Sequence, residues 1–370
     1  MEKQLESLTI HRFRGLRDLE LSGLGDVNLF VGENNSGKTT VLEAISTYCR
    51  PLDPLEWLAT GSRREIDLPR ALLLDALKWL FPQVNEPERG LYTGETFVSG
   101  SGSFRVLESR ATYNEFLSVD SSVGDEGMSF QPDDVRRLGA DLEMRTVFRV
   151  EQRSLFERGP TAESSEIVRL WQDERFTAHK SPSDPLLPVA TISPISHWVE
   201  QRQIKQLTEV TLGGIKDEVL EALSLIDPGI QDLEILSRRG TYATLHIQHK
   251  EVGLAPVSAF GDGVRRTLMT ALTLPTVKGG ILLVDEIQTA IHKSALNKVF
   301  GWLVKACSDN NVQLFATTHS LEAVDAMLKV KKVDLANIVA YRLNEIGQPA
   351  QQFAGELLYG IRYERGLDVR

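Results

Sequence analysis

Eight consecutive residues, Gly32-Glu33-Asn34-Asn35-Ser36-Gly37-Lys38-Thr39, follow the spacing G-x-x-x-x-G-K-[ST]. The glycines let the backbone curl so that successive N–H groups face one phosphate. Lys38 then neutralises the β/γ oxygens, and the Thr39 hydroxyl ligates Mg²⁺. A glycine-rich turn that binds nothing is the bland alternative. Its setting argues otherwise: the apolar run Val27–Val31 precedes it, and a helical pattern with Val41, Leu42, Ala44 and Ile45 on one face follows. Strand, glycine loop and helix is the order that places an anion at a helix N-terminus.

Three further segments carry chemistry. Ile281-Leu282-Leu283-Val284 ends in Asp285-Glu286, as a buried strand does when its C-terminal end meets a nucleotide. Asp285 would hold the Mg²⁺ shell, and Glu286 would orient or deprotonate an attacking water. On its own such a pair is equally a strand ending in solvated acids; the upstream phosphate loop decides between them. Phe315-Ala316-Thr317-Thr318-His319-Ser320 is a second apolar strand with a polar end, where His319 is placed to contact the γ-phosphate. His292, shortly after Glu286, is as readily structural as functional, and the remaining histidines show no metal-ligand pattern. Finally, Ser258-Ala259-Phe260-Gly261-Asp262-Gly263-Val264-Arg265-Arg266 sets two glycines before a helix, which leaves an anion-attracting helix N-terminus. Its bland alternative is an ordinary cap followed by solvated arginines.

The elements that position these residues fall into three stretches. Residues 1–60 hold a first strand, Leu8–Leu16, and the glycine loop. Residues 61–249 differ in texture, with an amphipathic helix near Ala71–Leu80, hairpin turns over Val98–Ser103, and a polar excursion over Glu157–Pro188 that reads as a mobile surface segment. A helix over Lys216–Ile226 and a hairpin of Leu233–Leu236 with Thr241–Ile247 follow. Residues 250–370 return to α/β alternation: helix Gly263–Leu274, strand Ile281–Val284, helix His292–Ala306, strand Val312–Ala316, helix Leu321–Met327 and strand Ile338–Leu343. Uninterrupted apolar strands between helices predict a sheet covered on both faces. The fold class expected is α/β, a P-loop ATPase head with a mixed, largely parallel core sheet and an antiparallel β and helical insertion.

Composition narrows the class further. With 370 residues, 42% hydrophobic and 25% charged, the chain has the make-up of a globular protein with a sizeable core. A net charge of −10 argues against a surface that coats nucleic acid, though not against a local basic patch. Cys49 and Cys307 form no zinc or disulfide pattern. Without a signal peptide or an apolar run of ~20 residues, a cytoplasmic protein is expected, with no membrane partner.

Taken together, GENNSGKTT, the strand ending in VDE, ATTHS and FGDGVRR resemble the ABC-type ATPase superfamily, in its SMC/RecF/OLD branch and closest to stand-alone OLD-like AAA ATPases. The opening IHRFRGLRDLEL is similar to that family's first strand, where Arg12 or Arg14 would touch the nucleotide. The resemblance covers both ends of the chain well and the middle poorly. It implies ATP and Mg²⁺ bound by Gly32 through Thr40, with Thr39 and Asp285 on the metal and Lys38, Glu286 and His319 in catalysis. It further implies a homodimer or higher homo-oligomer, with ATP sandwiched against Gly261 and Gly263 of a second copy. Phe260 stands where a hydroxyl is usual, so Ser258 is the candidate for the γ-phosphate contact. After Glu286 the family often reads E-[ND]-G-L-H-P, whereas this chain has Gln288-Thr289-Ala290-Ile291-His292-Lys293.

The function this implies is an ATP-driven switch that controls a separate effector, a TOPRIM-type or other nuclease, in bacterial defence against phage. A RecF-like repair ATPase that clamps DNA directly is the alternative, and DNA is then its partner. A transporter subunit fits poorly because the signature is not LSGGQ. An ATP-bound scaffold that hydrolyses slowly is a fourth reading, against which Glu286 argues.

Overall fold

A computed structural model describes residues 3–64, 73–83, 90–119, 136–150, 161–174, 176–177, 183–198, 200–237, 243–330, 335–345 and 347–369. The chain divides into two compact units. One comprises Met1–Glu6, Leu21–Leu42 and Pro188–Arg370, and the other Ser7–Glu20 and Glu43–Leu187. The boundaries expected near 60 and 249 therefore fall near 43 and 187, and residues 7–20 join the middle stretch.

The larger unit is built on a six-stranded sheet. Its strands in chain order are β3 (Val27–Val31), β8 (Val189–Ile192), β12 (Ile281–Val284), β13 (Gln313–Thr317), β14 (Ile338–Arg342) and β15 (Gln351–Ala354), arranged β15-β14-β3-β13-β12-β8. All neighbours run parallel except β14 and β15. Every residue of β3, β12 and β13 is buried, as strands covered on both faces require. Helices α1 (Lys38–Cys49), α7 (Lys293–Asp309) and α8 (Leu321–Leu328) follow β3, β12 and β13. Leu296, Phe300, Leu303 and Met327 from α7 and α8 pack with Leu29, Leu282 and Leu314 of the sheet in one core.

A second core in this unit joins α4 (Glu200–Leu212), α5 (Lys216–Ser224) and α6 (Asp262–Thr273) to an antiparallel sheet. That sheet has the order β11 (Gly253–Pro256), β10 (Thr244–His249), β9 (Ile230–Leu236). The hairpin expected across residues 233–247 is the β9–β10 pair; its turn, at 238–242, lies outside the described residues.

The smaller unit is an antiparallel sheet, β2 (Leu16–Ser22), β1 (Ser7–Phe13), β4 (Thr93–Ser101), β5 (Val106–Val119), β6 (Arg136–Arg149) and β7 (Thr161–Trp171), in that order. Helices α2 (Pro54–Ser62) and α3 (Leu73–Lys78) belong to it. Its inner face buries Ala111, Tyr113, Leu142 and Met144, and Trp57, Phe81 and Tyr113 stack in series at 5.5 and 5.6 Å. The segment read as a mobile excursion from residue 157 in fact contributes β7, paired with β6 along its length. One face of that strand is exposed and the other is mostly half-buried, so its composition is polar and carries no clear apolar alternation.

Candidate functional site

The site lies along the C-terminal ends of the parallel strands, where an α/β sheet presents its ligand-binding crevice. The loop after β3 carries the glycines. Gly32 has φ +143, and a Cβ there would lie 2.5 Å from the Leu343 carbonyl oxygen, so only glycine fits between β3 and the end of β14. Gly37 has φ +91 and Asn35 φ +65, which curls the loop ahead of α1. Lys38 Nζ donates to the carbonyl oxygens of Gly32 at 2.9 Å and Glu33 at 2.6 Å. Burial lowers its pKa, while the carboxylates of Glu286 and Asp285 act to raise it. Beside the loop, a cleft of about 590 Å³ is lined by residues including Asn34, Asn35, Arg342 and Gln348.

Two strands away, β12 ends in the carboxylates. β13 lies between β3 and β12, so its end residues reach both sides. Thr39 Oγ1 donates to Asp285 Oδ1 and Oδ2, both at 3.1 Å, and Thr317 Oγ1 donates to Asp285 Oδ1 at 2.6 Å. This hydroxyl and carboxylate set consists of hard oxygen donors, the chemistry that Mg²⁺ prefers. Glu286 takes φ +49, a left-handed conformation unusual for a side chain of its size. Its backbone is held there on both sides: its N–H donates to Thr317 Oγ1 at 2.8 Å, and its carbonyl accepts from Arg266 at 2.9 Å. The Glu286 carboxylate faces His319 Nδ1 at 3.4 Å.

Arg266 was not singled out by its neighbours in sequence, yet it is 2% exposed. Its guanidinium donates to the carbonyl oxygens of Ser193 at 3.2 Å, Asp285 at 2.7 Å and Glu286 at 2.9 Å. Periodicity does not mark it: Val264, Leu268, Ala271 and Leu272 form one buried stripe of α6, and Arg266 lies on the opposite side of the helix, where an amphipathic pattern predicts a solvated arginine, yet it is buried there with Met269 and Thr273. Thr317 was likewise missed, because its partners lie 32 and 31 residues away.

The remaining candidates are placed as follows. Ser258 lies in a single 3-10 turn, Val257–Ala259, and is exposed. Gly261 precedes α6 with open space where a Cβ would stand, whereas a Cβ on Gly263 would lie 2.8 Å from the Ala290 carbonyl oxygen. His292 caps α7, its ring accepting from the Ser294 N–H. Arg14, in the smaller unit, donates through Nε to Glu43 at 2.8 Å, and Arg64 shares that buried carboxylate through two hydrogen bonds at 2.8 and 2.7 Å. The structure therefore brings together Lys38, Thr39, Asp285, Glu286 and His319. Ser258, Gly261 and Gly263 belong to the segment that leads into α6.

A phosphate loop between a buried parallel strand and a helix, faced by a carboxylate pair and a strand-end histidine, defines a P-loop ATPase of the ABC/OLD/RecF type. Residues 27–325 match the family described as "AAA domain, putative AbiEii toxin, Type IV TA system", and the chain belongs to that family. It is 19% identical over 349 residues to an ATP/GTP phosphatase of Helicobacter pylori, covering 88% of each chain. It is 23% identical over 337 residues to an OLD nuclease of Thermus scotoductus, covering 85% of this chain but 59% of that one. To the DNA replication and repair protein RecF of Acinetobacter baylyi it is 24% identical over 356 residues, 87% of this chain and 93% of that one. Among the described residues, no helix is long and apolar enough to cross a membrane.

Proposed function

We propose that this chain hydrolyses ATP at the ends of β3, β12 and β13, and that two copies closing over the nucleotide form a switch that controls a separate nuclease effector in cytoplasmic defence against phage. The observation that carries the hydrolytic part is Glu286, whose carboxylate stands beside His319 while its backbone is pinned by Thr317 and Arg266. Lys38 exchanges its two carbonyl partners for the β/γ oxygens, and the loop amides cradle the phosphates. Bound between Thr39 and Asp285, Mg²⁺ would neutralise charge developing on those oxygens. A water held by Glu286 attacks the γ-phosphorus, its proton passes to the carboxylate, and the β–γ bridging P–O bond breaks to leave ADP and phosphate. Ser258, Gly261 and Gly263 would face the nucleotide of a second copy.

The effector part draws support from the family description, which names a toxin and a toxin–antitoxin system, and from the OLD nuclease relative. The RecF relative favours direct DNA binding as a second reading. Against it stands the exposed face of the smaller unit's sheet. There Arg12 and Arg110 pair with Glu95, Arg145 with Glu143, Arg169 with Asp141, and Arg137 with Asp173, so these cations meet acids rather than standing ready for phosphates.

The test is tagged Glu286→Gln protein held in ATP and Mg²⁺. It should retain ATP, lose turnover by about 100-fold or more, run as a dimer, and recover an effector protein from its native cells. Turnover equal to that of the parent would remove Glu286 as the base. Recovery of DNA with no protein would favour the repair-clamp reading.

A further inference from the structure

We infer that Gln288 is a positioning residue that sets the tautomer of His319 and so keeps the Glu286 carboxylate free to act on water; this rests on the hydrolytic reading above. Thr318 is buried, and its Oγ1 accepts the Ser320 N–H at 3.0 Å. Its hydroxyl hydrogen is thus left to donate, and it goes to Gln288 Oε1 at 2.7 Å. That bond fixes which way round the Gln288 amide sits, because an NH₂ group facing the Thr318 hydroxyl hydrogen would set two donors against each other. With its oxygen so committed, Gln288 turns Nε2 toward His319 Nδ1, at 3.4 Å.

An amide N–H can meet a ring nitrogen only if that nitrogen is an acceptor. The neutral ring therefore carries its proton on Nε2, directed away from Gln288. Glu286 Oε1 competes for the same Nδ1 from the same distance, 3.4 Å. If Nδ1 carried the proton, it would donate to Glu286, occupy a lone pair of the base, and leave Nε2 unable to donate to a phosphate oxygen. Gln288 decides between these two arrangements. A carboxylate at this position would be an acceptor, could not take the Gln288 role toward Nδ1, and would favour the opposite tautomer.

The experiment is ¹⁵N NMR of the full chain at about pH 8, above the ordinary histidine range. The His319 ring signals are identified by their loss in His319→Gln. In the parent, Nδ1 should resonate as an unprotonated imine nitrogen and Nε2 as protonated. In Gln288→Leu, and in the near-isosteric Gln288→Glu, the proton should move to Nδ1, and kcat should fall about tenfold with KM for ATP little changed. Two variants are used so that a packing defect in one does not leave the matter open, and a native melting curve qualifies each. A ring that keeps its proton on Nε2 in both variants, or that carries it on Nδ1 in the parent, overturns the inference. Full turnover in Glu286→Gln would instead overturn the underlying hydrolytic reading, which the tautomer measurement does not depend on.

Discussion

Arg266 is the residue whose chemistry is least typical of its type. A guanidinium ordinarily pairs with a carboxylate group; this one is buried against three main-chain carbonyl oxygens. Burial pulls its pKa down to about 10, although Asp285 and Glu286 lie close enough to oppose the shift. The sign matters for stability. The folded chain holds this proton less tightly than the unfolded chain, so the penalty for burying the charge is fully present below about pH 10. It fades as pH rises further, toward the ordinary arginine range of the unfolded chain. At neutral pH, removing the charge relieves that penalty; the Ser193 and Glu286 carbonyls keep the Ser196 and Thr289 N–H donors, while the Asp285 carbonyl loses its bond from Arg266, and such exchanges are often close to neutral in stability. Arg266→Met should therefore melt within a few degrees of the parent yet lose about 10- to 100-fold in kcat, since Glu286 is no longer held in place. Melting curves and steady-state ATPase rates on the same preparation check this. A variant that unfolds, or one that keeps full turnover, contradicts it.

At the level of elements, β8 is a short edge strand with a large positional role. It pairs in parallel with β12 from Val189–Ile281 to Ile192–Val284, and its last carbonyl accepts the Asp285 N–H at 2.8 Å. The approach is closest at Gly280, where a Cβ would lie 2.0 Å from the Pro188 carbonyl oxygen. Gly280→Ala should push the two strands apart at that end, costing about 1–3 kcal/mol in urea unfolding and lowering turnover as Asp285 shifts. Unchanged stability would mean that the edge pairing is softer than its geometry implies. β8 also marks where the sequence stopped being legible. Val189-Ala190-Thr191-Ile192 is too short to show a period, and its partner lies about ninety residues on. β3, β12 and β13 were legible because each is a solid apolar run with a chemical motif at its end. The phosphate loop and the Asp-Glu pair were readable for the same reason, each being contiguous. Arg266, Thr317 and Gln288 were not, because their meaning lies in partners 19 to 73 residues distant, several of them backbone atoms that no side-chain pattern records.

For the molecule as a whole, the proposed mechanism places Ser258, Gly261 and Gly263 against the nucleotide of another copy. Turnover per chain should then rise with protein concentration and level off once dimers predominate, while Lys38→Ala should neither bind ATP nor dimerise in its presence. Sedimentation alongside ATPase assays over a dilution series separates the cases; constant turnover in a demonstrably monomeric sample would exclude the trans contribution. The order of strands has a different consequence. β3, which leads into the phosphate loop, is flanked by β13 and β14, and neither exists until the ribosome has passed residue 312. At about 5–20 residues per second, the strand waits roughly 15 to 60 seconds for either neighbour, while residues 43–187 can complete most of their own sheet. The nucleotide site is thus among the last parts of the chain to be assembled, and a truncated product carries the phosphate-loop sequence without a sheet to hold it.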